Sequence, residues 1–330
     1  MMETTSQQQQ SIVVTGSTGY IASAIIEQLL LKGYRVIAIV RDLSNKAKYQ
    51  HLTELSGANT LLTFAGGDLE SADYLTIFKG VDYVMHCGSP YIYTSEDPQR
   101  DIVQPAINGN LRVLEAAAAT PSIKKVIITS STAAIIDSAK KKDVYTEEDW
   151  NESATIATPY MYSKYLAERA AMEFAPSHFQ LIFVNPSFVV GRGLAKHINT
   201  SLTTFTKSLC GSINNRYVGL VDLRDVVDTH LHVLESSTNM DRQRKMVCSS
   251  VMTFTDMVER VQKLFPQYDF VDHSIDQSTI TPNSALHKYR FESVSPISIG
   301  RPYYDLDDTF KQTVEYLIAT GHLNPKPKVE

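Results

Sequence analysis

A pair of glycines between a strand-like and a helix-like segment constrains the fold of this chain more than any other feature. Residues 11–14 are apolar or β-favouring, and Gly16 and Gly19 follow directly. The next residues place apolar side chains at helical spacing, with the small Ala22 where the helix would lie on the strand. A strand, a tight glycine turn and a helix start are typical of a pyrophosphate site, because the N–H groups of the first helical turn face the anion.

The two glycines have separate tasks in this interpretation. Gly16 allows a sharp turn of the backbone, and Gly19 lets the backbone approach the phosphates with no Cβ in the way. A second apolar strand is predicted over residues 34–40, about 20 residues further on, which is the spacing typical of dinucleotide-binding folds. The sequence therefore predicts a site for a dinucleotide cofactor.

Composition narrows the class of protein. The chain has 330 residues, of which 43% are hydrophobic and 20% charged, which is enough for a substantial core. A net charge of −5 gives no reason to expect nucleic acid or an anionic membrane as a partner. The three cysteines are far apart and lack metal-ligand spacing, so we expect reduced thiols and no metal site. Residues 1–10 are polar, and no apolar run approaches membrane-spanning length. We therefore expect a cytoplasmic protein without a signal peptide or membrane span.

Strand-like and helix-like segments alternate over the first 186 residues. Strands are predicted at 11–14, 34–40, 61–64, 81–87, 125–129, 180–185 and 245–249, and helices at 45–56, 71–78 with Ser71 as N-cap, 97–119, 159–175, 225–235, 254–265 and 305–321. This order favours an α/β fold, a Rossmann-type doubly wound parallel sheet. We expect a loose tail at 1–10, a dinucleotide-binding domain at 11–186 to which 222–250 returns, and a smaller C-terminal substrate-binding α/β portion at 187–221 and 251–330.

Side chains suited to proton transfer follow one of these strands. Ser131 comes just after the strand at 125–129, and Tyr160 and Lys164 are four residues apart on the next predicted helix, so they share a face. A phenol has a pKa near 10 and is a weak acid catalyst unless something stabilises its phenolate. We expect the Lys164 ammonium to lower the pKa of Tyr160, and Ser131 to donate a hydrogen bond to the substrate oxygen.

Together these segments resemble the extended short-chain dehydrogenase/reductase family. Within it, the chain is most similar to the branch of dihydroflavonol reductases, cinnamoyl-CoA reductases and yeast methylglyoxal/isovaleraldehyde reductases. The motifs that carry the resemblance occur in order along the chain, at 15–22 (TGSTGYIA), 40–42 (VRD), 67–69 (GDL), 86–90 (HCGSP), 128–131 (ITSS), 160–164 (YMYSK), 184–186 (VNP) and 222–227 (DLRDVV).

The resemblance implies an oxidoreductase that reduces a small carbonyl compound with a nicotinamide cofactor, as a monomer or homodimer. It makes Ser131 the catalytic serine, Tyr160 the proton donor and Lys164 the residue that holds the nicotinamide ribose. Other cofactor contacts are expected from Thr15, Gly16, Thr18, Gly19, Tyr20, Ile21, Arg41, Lys48, Asp68, Leu69, Cys87, Gly88, Ser89, Thr129, Pro186 and Ser187. Substrate contacts are expected from Ser89, Tyr91, Ser131, Tyr160 and Phe188, in a pocket whose apolar wall includes Tyr93 and Met161.

The end of the second predicted strand bears on the choice of cofactor. An acidic residue there would bind the ribose 2′-hydroxyl of NADH. Arg41, with Lys46 and Lys48 nearby, suits instead the 2′-phosphate of NADPH, because a guanidinium grips a phosphate through two hydrogen bonds. We therefore expect NADPH, and Asp42 keeps NADH as the alternative.

Two positions depart from relatives in this family. Sugar epimerases carry an asparagine on the long helix that supports a water relay to the lysine, but Ala106 stands there and Asn108 is two residues late. Cinnamoyl-CoA reductases carry Asn-Trp just before their catalytic tyrosine. This chain has Thr158 and Pro159 instead, which disfavours that activity.

Two other functions compete with carbonyl reduction. An NAD-dependent nucleotide-sugar epimerase or dehydratase would need groups for a second phosphate-bearing ligand, and no dense basic cluster follows residue 186. A non-catalytic NADP(H)-sensing protein would be marked by loss of the serine, tyrosine or lysine. All three are present, which favours the enzyme.

Overall fold

Short strands and helices alternate through this computed structural model, which describes residues 9–175, 178–271, 280–294 and 299–328. The strands are β1 (Ser11–Thr15), β2 (Arg35–Val40), β3 (Leu62–Gly66), β4 (Tyr83–His86), β5 (Lys125–Thr129), β6 (Val144–Tyr145), β7 (Gln180–Pro186), β8 (Phe188–Val190), β9 (Tyr217–Asp222), β10 (Arg244–Val247), β11 (Ser250–Thr253), β12 (Tyr268–Asp269), β13 (Arg290–Phe291) and β14 (Lys326–Pro327). The helices are α1 (Tyr20–Leu31), α2 (Gln50–Thr53), α3 (Ala58–Leu61), α4 (Tyr74–Ile77), α5 (Gln104–Ala118), α6 (Pro159–Glu173), α7 (Thr200–Leu209), α8 (Leu223–Glu235), α9 (Phe254–Leu264) and α10 (Leu306–Ala319).

Seven of these strands form one parallel sheet in the order β10-β7-β5-β4-β1-β2-β3. The chain moves outward from β1 through β2 to β3, then returns to the other side of β1 with β4. The switch point therefore lies between β1 and β4, and ligands of such sheets bind outside the carboxyl ends of the strands at that point. The predicted Rossmann-type fold is confirmed.

Helices cover both faces of this sheet, because alternate residues of each buried strand point to opposite sides. In β1, Ile12 and Val14 join a cluster with α1 and α8, whereas Val13 joins a second cluster with α5 and α6. All three side chains are fully buried. The strand that leads into the glycine turn is thus fixed from both faces.

A third hydrophobic cluster belongs to the C-terminal elements. It joins α7, α9 and α10 to a three-stranded sheet of order β11-β9-β8, with Phe205 and Phe310 stacked at a ring-centroid distance of 6.0 Å. Because β8 directly follows β7, this cluster begins at the carboxyl end of the large sheet. β10 then pairs with β7 and returns the chain to the seven-stranded sheet.

Three predicted helices differ from those observed. The helix predicted at 45–56 is a 3₁₀ turn at Lys46–Lys48 followed by the short α2. The one predicted at 71–78 is only α4, and its N-cap is Asp73 because the Ser71 hydroxyl donates to Asp68 instead. The one predicted at 97–119 begins with a π-helical turn at 99–103, because Pro105 has no N–H to bond to the preceding turn.

The described part of the N-terminal tail is bound to the rest of the protein. Residues 1–8 of the expected N-terminal tail lie outside the described residues, and Gln9 and Gln10 are held by side-chain hydrogen bonds to Gly33 and Tyr83. Within the described ranges, no helix has both the length and the apolar character needed to cross a lipid bilayer.

Candidate active site

The glycine turn after β1 is shaped by a close backbone approach. Gly16 has φ +63°, a conformation that favours glycine, and a Cβ at this position would lie 2.7 Å from the Cα of Gly88. The Gly19 N–H donates to the Gly16 carbonyl at 2.8 Å, and α1 starts at the next residue. The first-turn N–H groups of α1 are thereby presented at the carboxyl edge of the sheet, where an anion binds well.

A second contact locks this turn against β4. The Gly88 N–H donates to Thr15 Oγ1 at 3.1 Å, and Thr15 Oγ1 lies 2.7 Å from Nδ1 of His86. Burial lowers the pKa of His86 to about 4, so the ring is neutral at neutral pH. The hydroxyl of Thr15 therefore accepts from Gly88 and is also hydrogen-bonded to the imidazole, which ties the ends of β1 and β4 together.

A cavity of about 440 Å³, here called the outer cavity, opens along this turn. Eleven of the predicted cofactor residues line it, namely Thr15, Gly16, Thr18, Gly19, Arg41, Lys48, Asp68, Leu69, Cys87, Gly88 and Ser89. It also contacts residues that the sequence did not single out for cofactor binding, namely Asn45, Tyr49, Tyr74 and His197. Its lining extends from the glycine turn to Arg41 at the end of β2.

The charged residues at the far end of the outer cavity decide which ribose fits. Asp42 accepts hydrogen bonds from the Ser44 N–H at 2.8 Å and the Ser44 hydroxyl at 2.6 Å, and these bonds lower the pKa of its carboxyl group. Asp42 lines the same cavity as Arg41 and Lys48, and both of its hydrogen bonds from Ser44 go to Oδ1. Asp68, whose pKa is lowered mainly by hydrogen bonds from Ser71, is a further anion near Arg41. The arrangement favours a 2′-phosphate.

A second cavity of about 390 Å³, here called the inner cavity, contains the predicted catalytic residues. Its lining includes Ser131, Tyr160, Lys164, Tyr20, Ile21, Thr129, Pro186, Ser187 and Tyr91. Four residues line both cavities, namely Gly16, Gly19, Cys87 and Ser89. The cavity of the predicted catalytic residues therefore adjoins the predicted cofactor cleft at these four residues.

Within the inner cavity, Tyr160 is hydrogen-bonded to Ser131 and packed on Lys164. The Lys164 Nζ lies 5.9 Å from the centroid of the Tyr160 ring. Burial is the largest influence on the phenol and raises its pKa well above the usual value; Tyr91 and Tyr93 raise it further, and the hydrogen bond with Ser131 lowers it. The pKa shift of Tyr160 is thus opposite to the expected lowering, because burial and the two tyrosines outweigh the hydrogen bond with Ser131.

Lys164 is itself affected by burial. Removal from water lowers the pKa of its ammonium to about 8, and the carboxylate of Glu168 and the thiol of Cys87 oppose this shift. Burial also raises the pKa of the Cys87 thiol to about 12, so this cysteine is a neutral wall residue. The ammonium is therefore mostly charged at neutral pH but loses its proton more easily than an exposed lysine.

Three tyrosine rings pack together beside the inner cavity; Tyr91 and Tyr160 line it, whereas Tyr93, expected in its wall, does not. Tyr91 and Tyr93 lie 4.9 and 5.0 Å from the Tyr160 ring, between centroids. The Tyr91 hydroxyl lies 2.9 Å from the Ser201 hydroxyl in the first turn of α7. Such a wall is apolar over its faces and polar at its edges, as expected of a site for a small organic carbonyl compound.

The structure does not bring every predicted residue to the cavity. Phe188 packs against Phe254 at 5.5 Å between centroids, in the C-terminal cluster, and Met161 is absent from the residues that line either cavity. Residues 198–201 and Thr203, from which no site contact was expected, also line the inner cavity. The only sequence signal for them is that the segment 196–201 resembles the yeast reductases.

Comparison with known proteins now adds to this geometry. The model of the NAD dependent epimerase/dehydratase family matches residues 12–249, which include both cavities. The chain belongs to this family. The resemblance to extended short-chain dehydrogenases/reductases is thereby confirmed, and so is the reductase branch, by the relatives that follow.

Among curated proteins, the chain is similar to a cinnamoyl-CoA reductase of Medicago truncatula, with 31% identity over 93% of this chain and 95% of the relative. Among solved structures, it is similar to yeast methylglyoxal/isovaleraldehyde reductase Gre2 complexed with NADPH, with a TM-score of 0.77, 27% identity and coverage of 95% of this chain and 100% of that one. Gre2 of Candida albicans in complex with NADPH gives a TM-score of 0.78 and 28% identity, over 94% and 99%.

Proposed function

We propose that this protein catalyses the NADPH-dependent reduction of an aldehyde or ketone to an alcohol, with Tyr160 as the proton donor. The observation that carries the proposal is that Ser131, Tyr160 and Lys164 line one cavity, which shares its wall with the cleft formed by the glycine turn. A proton donor, a hydrogen-bond donor and a cofactor cleft are what carbonyl reduction requires.

In this proposal Tyr160 gives its phenolic proton to the carbonyl oxygen of the substrate. The raised pKa of the buried phenol means that Tyr160 carries its proton at neutral pH, as an acid must. Ser131, already hydrogen-bonded to the phenol, is placed to donate to the same oxygen as negative charge develops there. The charged Lys164 stabilises the phenolate that the transfer leaves behind.

The residues of the outer cavity fit NADPH, which supplies the hydride when bound. The absence of a Cβ at Gly16 lets the turn pack against the Gly88 backbone, and the first turn of α1 presents its N–H groups beside this turn, where phosphates would bind. Arg41 and Lys48 suit the 2′-phosphate, and the neighbouring Asp42 already accepts two hydrogen bonds from Ser44 through Oδ1. The two similar solved structures with NADPH support this cofactor.

The proposal is tested by following NADPH oxidation across aldehydes, diketones and dihydroflavonols, with NADH as the comparison, in the wild type and in Tyr160→Phe. We expect at least one substrate to be reduced and Tyr160→Phe to lower kcat by about 100-fold or more, because general acid catalysis contributes that much. NADPH affinity is expected to stay within about threefold, since a hydroxyl that acts mainly in the transition state adds little to ground-state binding.

The matched control is Tyr162→Phe, on the same helix but outside the residues that line either cavity. It is expected to keep wild-type kcat. Full activity of Tyr160→Phe would remove the phenol from the mechanism. NADPH binding without turnover on the whole panel would favour a sensing protein, and turnover of nucleotide sugars with retained NAD would favour an epimerase.

A further inference from the structure

A buried carboxylate continues the catalytic face of α6. Tyr160, Lys164 and Glu168 follow one another at intervals of four residues, so they lie in a row along the helix. Glu168 is 1% exposed and does not itself line the inner cavity, although its helix neighbour Lys164 and its hydrogen-bond partner Ser130 do. Burying a charged carboxylate this deeply costs solvation free energy unless hydrogen bonds and an opposite charge compensate for the lost water.

Three strands supply the partners of Glu168. Asn185 at the end of β7 donates its amide to Oε2 at 2.8 Å, and Ser130, just after β5, donates its hydroxyl to the same oxygen. Arg244 at the start of β10 donates Nε to the other oxygen, Oε1. Both carboxylate oxygens of Glu168 are therefore held by hydrogen bonds, and the one from Arg244 joins two oppositely charged groups.

Arg244 is held as firmly as its partner. It is 5% exposed, its guanidinium donates to the carbonyls of Glu147 and Asp149 at 2.7 and 2.6 Å, and it lies 3.8 Å from the centroid of the Trp150 ring. Such contacts fix the cation against Glu168. The pair therefore places one buried negative and one buried positive charge behind the catalytic helix.

Lys164 has few other groups able to set its charge. Facing it are Tyr160 on its own helix and two residues of the β4 end, His86 and Cys87. All three are neutral at neutral pH, since burial raises the pKa of the phenol and of the thiol and lowers that of the imidazole to about 4. Glu168 is thus the anion that acts on the buried ammonium.

We propose that Glu168 is a positioning residue that keeps Lys164 protonated inside the dry active site, and that Arg244 limits how strongly it does so. Burial alone would favour the neutral amine, which could neither stabilise a phenolate nor supply a proton. Glu168 opposes this effect, and Arg244 neutralises part of the carboxylate charge. The proposal rests on the proposed function of Tyr160 and Lys164, and it adds the origin of the charge on the lysine.

The test compares two substitutions that damage the same ion pair but change the local charge in opposite directions. Glu168→Gln removes an anion, so the pKa of Lys164 falls and the alkaline limb of the kcat profile moves to lower pH by about one unit. Arg244→Gln removes a cation, so the same limb moves to higher pH. Glu168→Asp keeps the charge and is expected to restore a limb near that of the wild type.

A measurement independent of turnover separates this proposal from the proposed function. In protein labelled with ¹³C-lysine, the Lys164 side-chain signal, assigned by its loss in Lys164→Met, is titrated in the wild type and the variants. The titration midpoint is expected to fall in Glu168→Gln and rise in Arg244→Gln. If these shifts occur in a protein that reduces no carbonyl compound, the charge coupling stands and the proposed function fails.

A purely structural role predicts a different outcome. Both variants would then lose activity and thermal stability with midpoints unchanged or shifted in the same direction, and either result overturns the proposal. If Glu168→Gln does not fold, Arg244→Gln decides alone, because Glu168 keeps the donors Ser130 and Asn185 in that variant. A midpoint that fails to rise there also overturns it.

Discussion

The hydroxyl of Tyr91 lies 2.9 Å from the hydroxyl of Ser201 and so joins the loop after β4 to the first turn of α7 across the inner cavity. The connection is reinforced next to it, because Thr200 Oγ1 donates to the Tyr91 carbonyl at 3.0 Å. The Tyr91 ring packs on Tyr160 at 4.9 Å. The position of the proposed proton donor is therefore coupled to an element of the C-terminal cluster.

This coupling is measurable as a double-mutant cycle. Tyr91→Phe and Ser201→Ala each remove one hydroxyl and are expected to lower the free energy of unfolding by about 1 kcal/mol. The double variant is expected to be less destabilised than the sum by about 0.5–1 kcal/mol, because each single change already breaks the shared hydrogen bond. Urea unfolding measures all three, and strict additivity would mean that the bond contributes nothing.

Cofactor preference is expected to depend on Arg41 and Lys48. Arg41→Ala and Lys48→Ala are each expected to weaken NADPH binding by about 10-fold or more, because a charge-assisted hydrogen bond contributes about 1.5–3 kcal/mol. NADH binding is expected to change by less than about threefold. The matched control is Lys46→Ala, an exposed lysine of the same turn outside the outer cavity, and fluorescence titration with both cofactors gives the affinities. Equal losses for NADH and NADPH would contradict the assignment.

Gly16 is expected to tolerate no side chain, whereas Gly33, which also has a positive φ, is expected to tolerate an alanine. Gly16→Ala introduces a Cβ 2.7 Å from Gly88 Cα, whereas Gly33→Ala, also at positive φ (+83°), meets no atom within 4 Å. Gly33→Ala is expected to cost about 1 kcal/mol of stability through backbone strain alone, with NADPH binding unchanged. Gly16→Ala is expected to lose more stability and nearly all NADPH binding. Calorimetry and cofactor titration check both, and equal behaviour of the two variants would be evidence against the close approach.

Stability is expected to fall in mild acid because two histidines are buried in neutral form. Burial lowers the pKa of His86 and of His230 from 6.5 to about 4, so below pH 6.5 the unfolded chain binds more protons than the folded one. Stability is then fully present above pH 6.5 and is lost as the pH falls toward about 4. Each histidine is expected to account for on the order of 2 kcal/mol between pH 7 and pH 5.

The experiment is urea unfolding at both pH values in the wild type and in His230→Gln. Thr129 Oγ1 lies 2.8 Å from His230 Nε2, so the substitution lowers stability at pH 7. The further loss on going to pH 5 is expected to be smaller than in the wild type, because one protonation site has been removed. A pH dependence identical to that of the wild type would show that His230 is not buried neutral.

The sequence predicted those features that depend on local pattern. The order of strands and helices predicts the glycine turn and the parallel sheet. Because parallel strands end at one edge of the sheet, it also predicts that Ser131, after β5, lies near Tyr160 and Lys164 in the first half of α6. The contribution of residues 198–201 was not predictable, since their distance from Tyr160 in the sequence is bridged only by the packing of the C-terminal cluster.

The local sequence pattern did not predict the burial of Tyr160 or the direction of the Phe188 side chain. The spacing of Tyr160 and Lys164 gave their adjacency, but not the burial that raises the pKa of the phenol. Phe188 was expected at the site, but its neighbours Ser187 and Val189 line the inner cavity, and alternation along the extended strand turns Phe188 to the other side, against Phe254.

The segment from His197 to the first turn of α7 contributes His197 to the outer cavity and residues 198–201 to the inner one. One short stretch of chain thus lines both the proposed coenzyme cleft and the proposed substrate site. Substitutions in this stretch that enlarge the substrate site for bulkier ketones are therefore expected to change the affinity for the coenzyme as well. Directed-evolution campaigns on this protein accordingly need to select for both properties together.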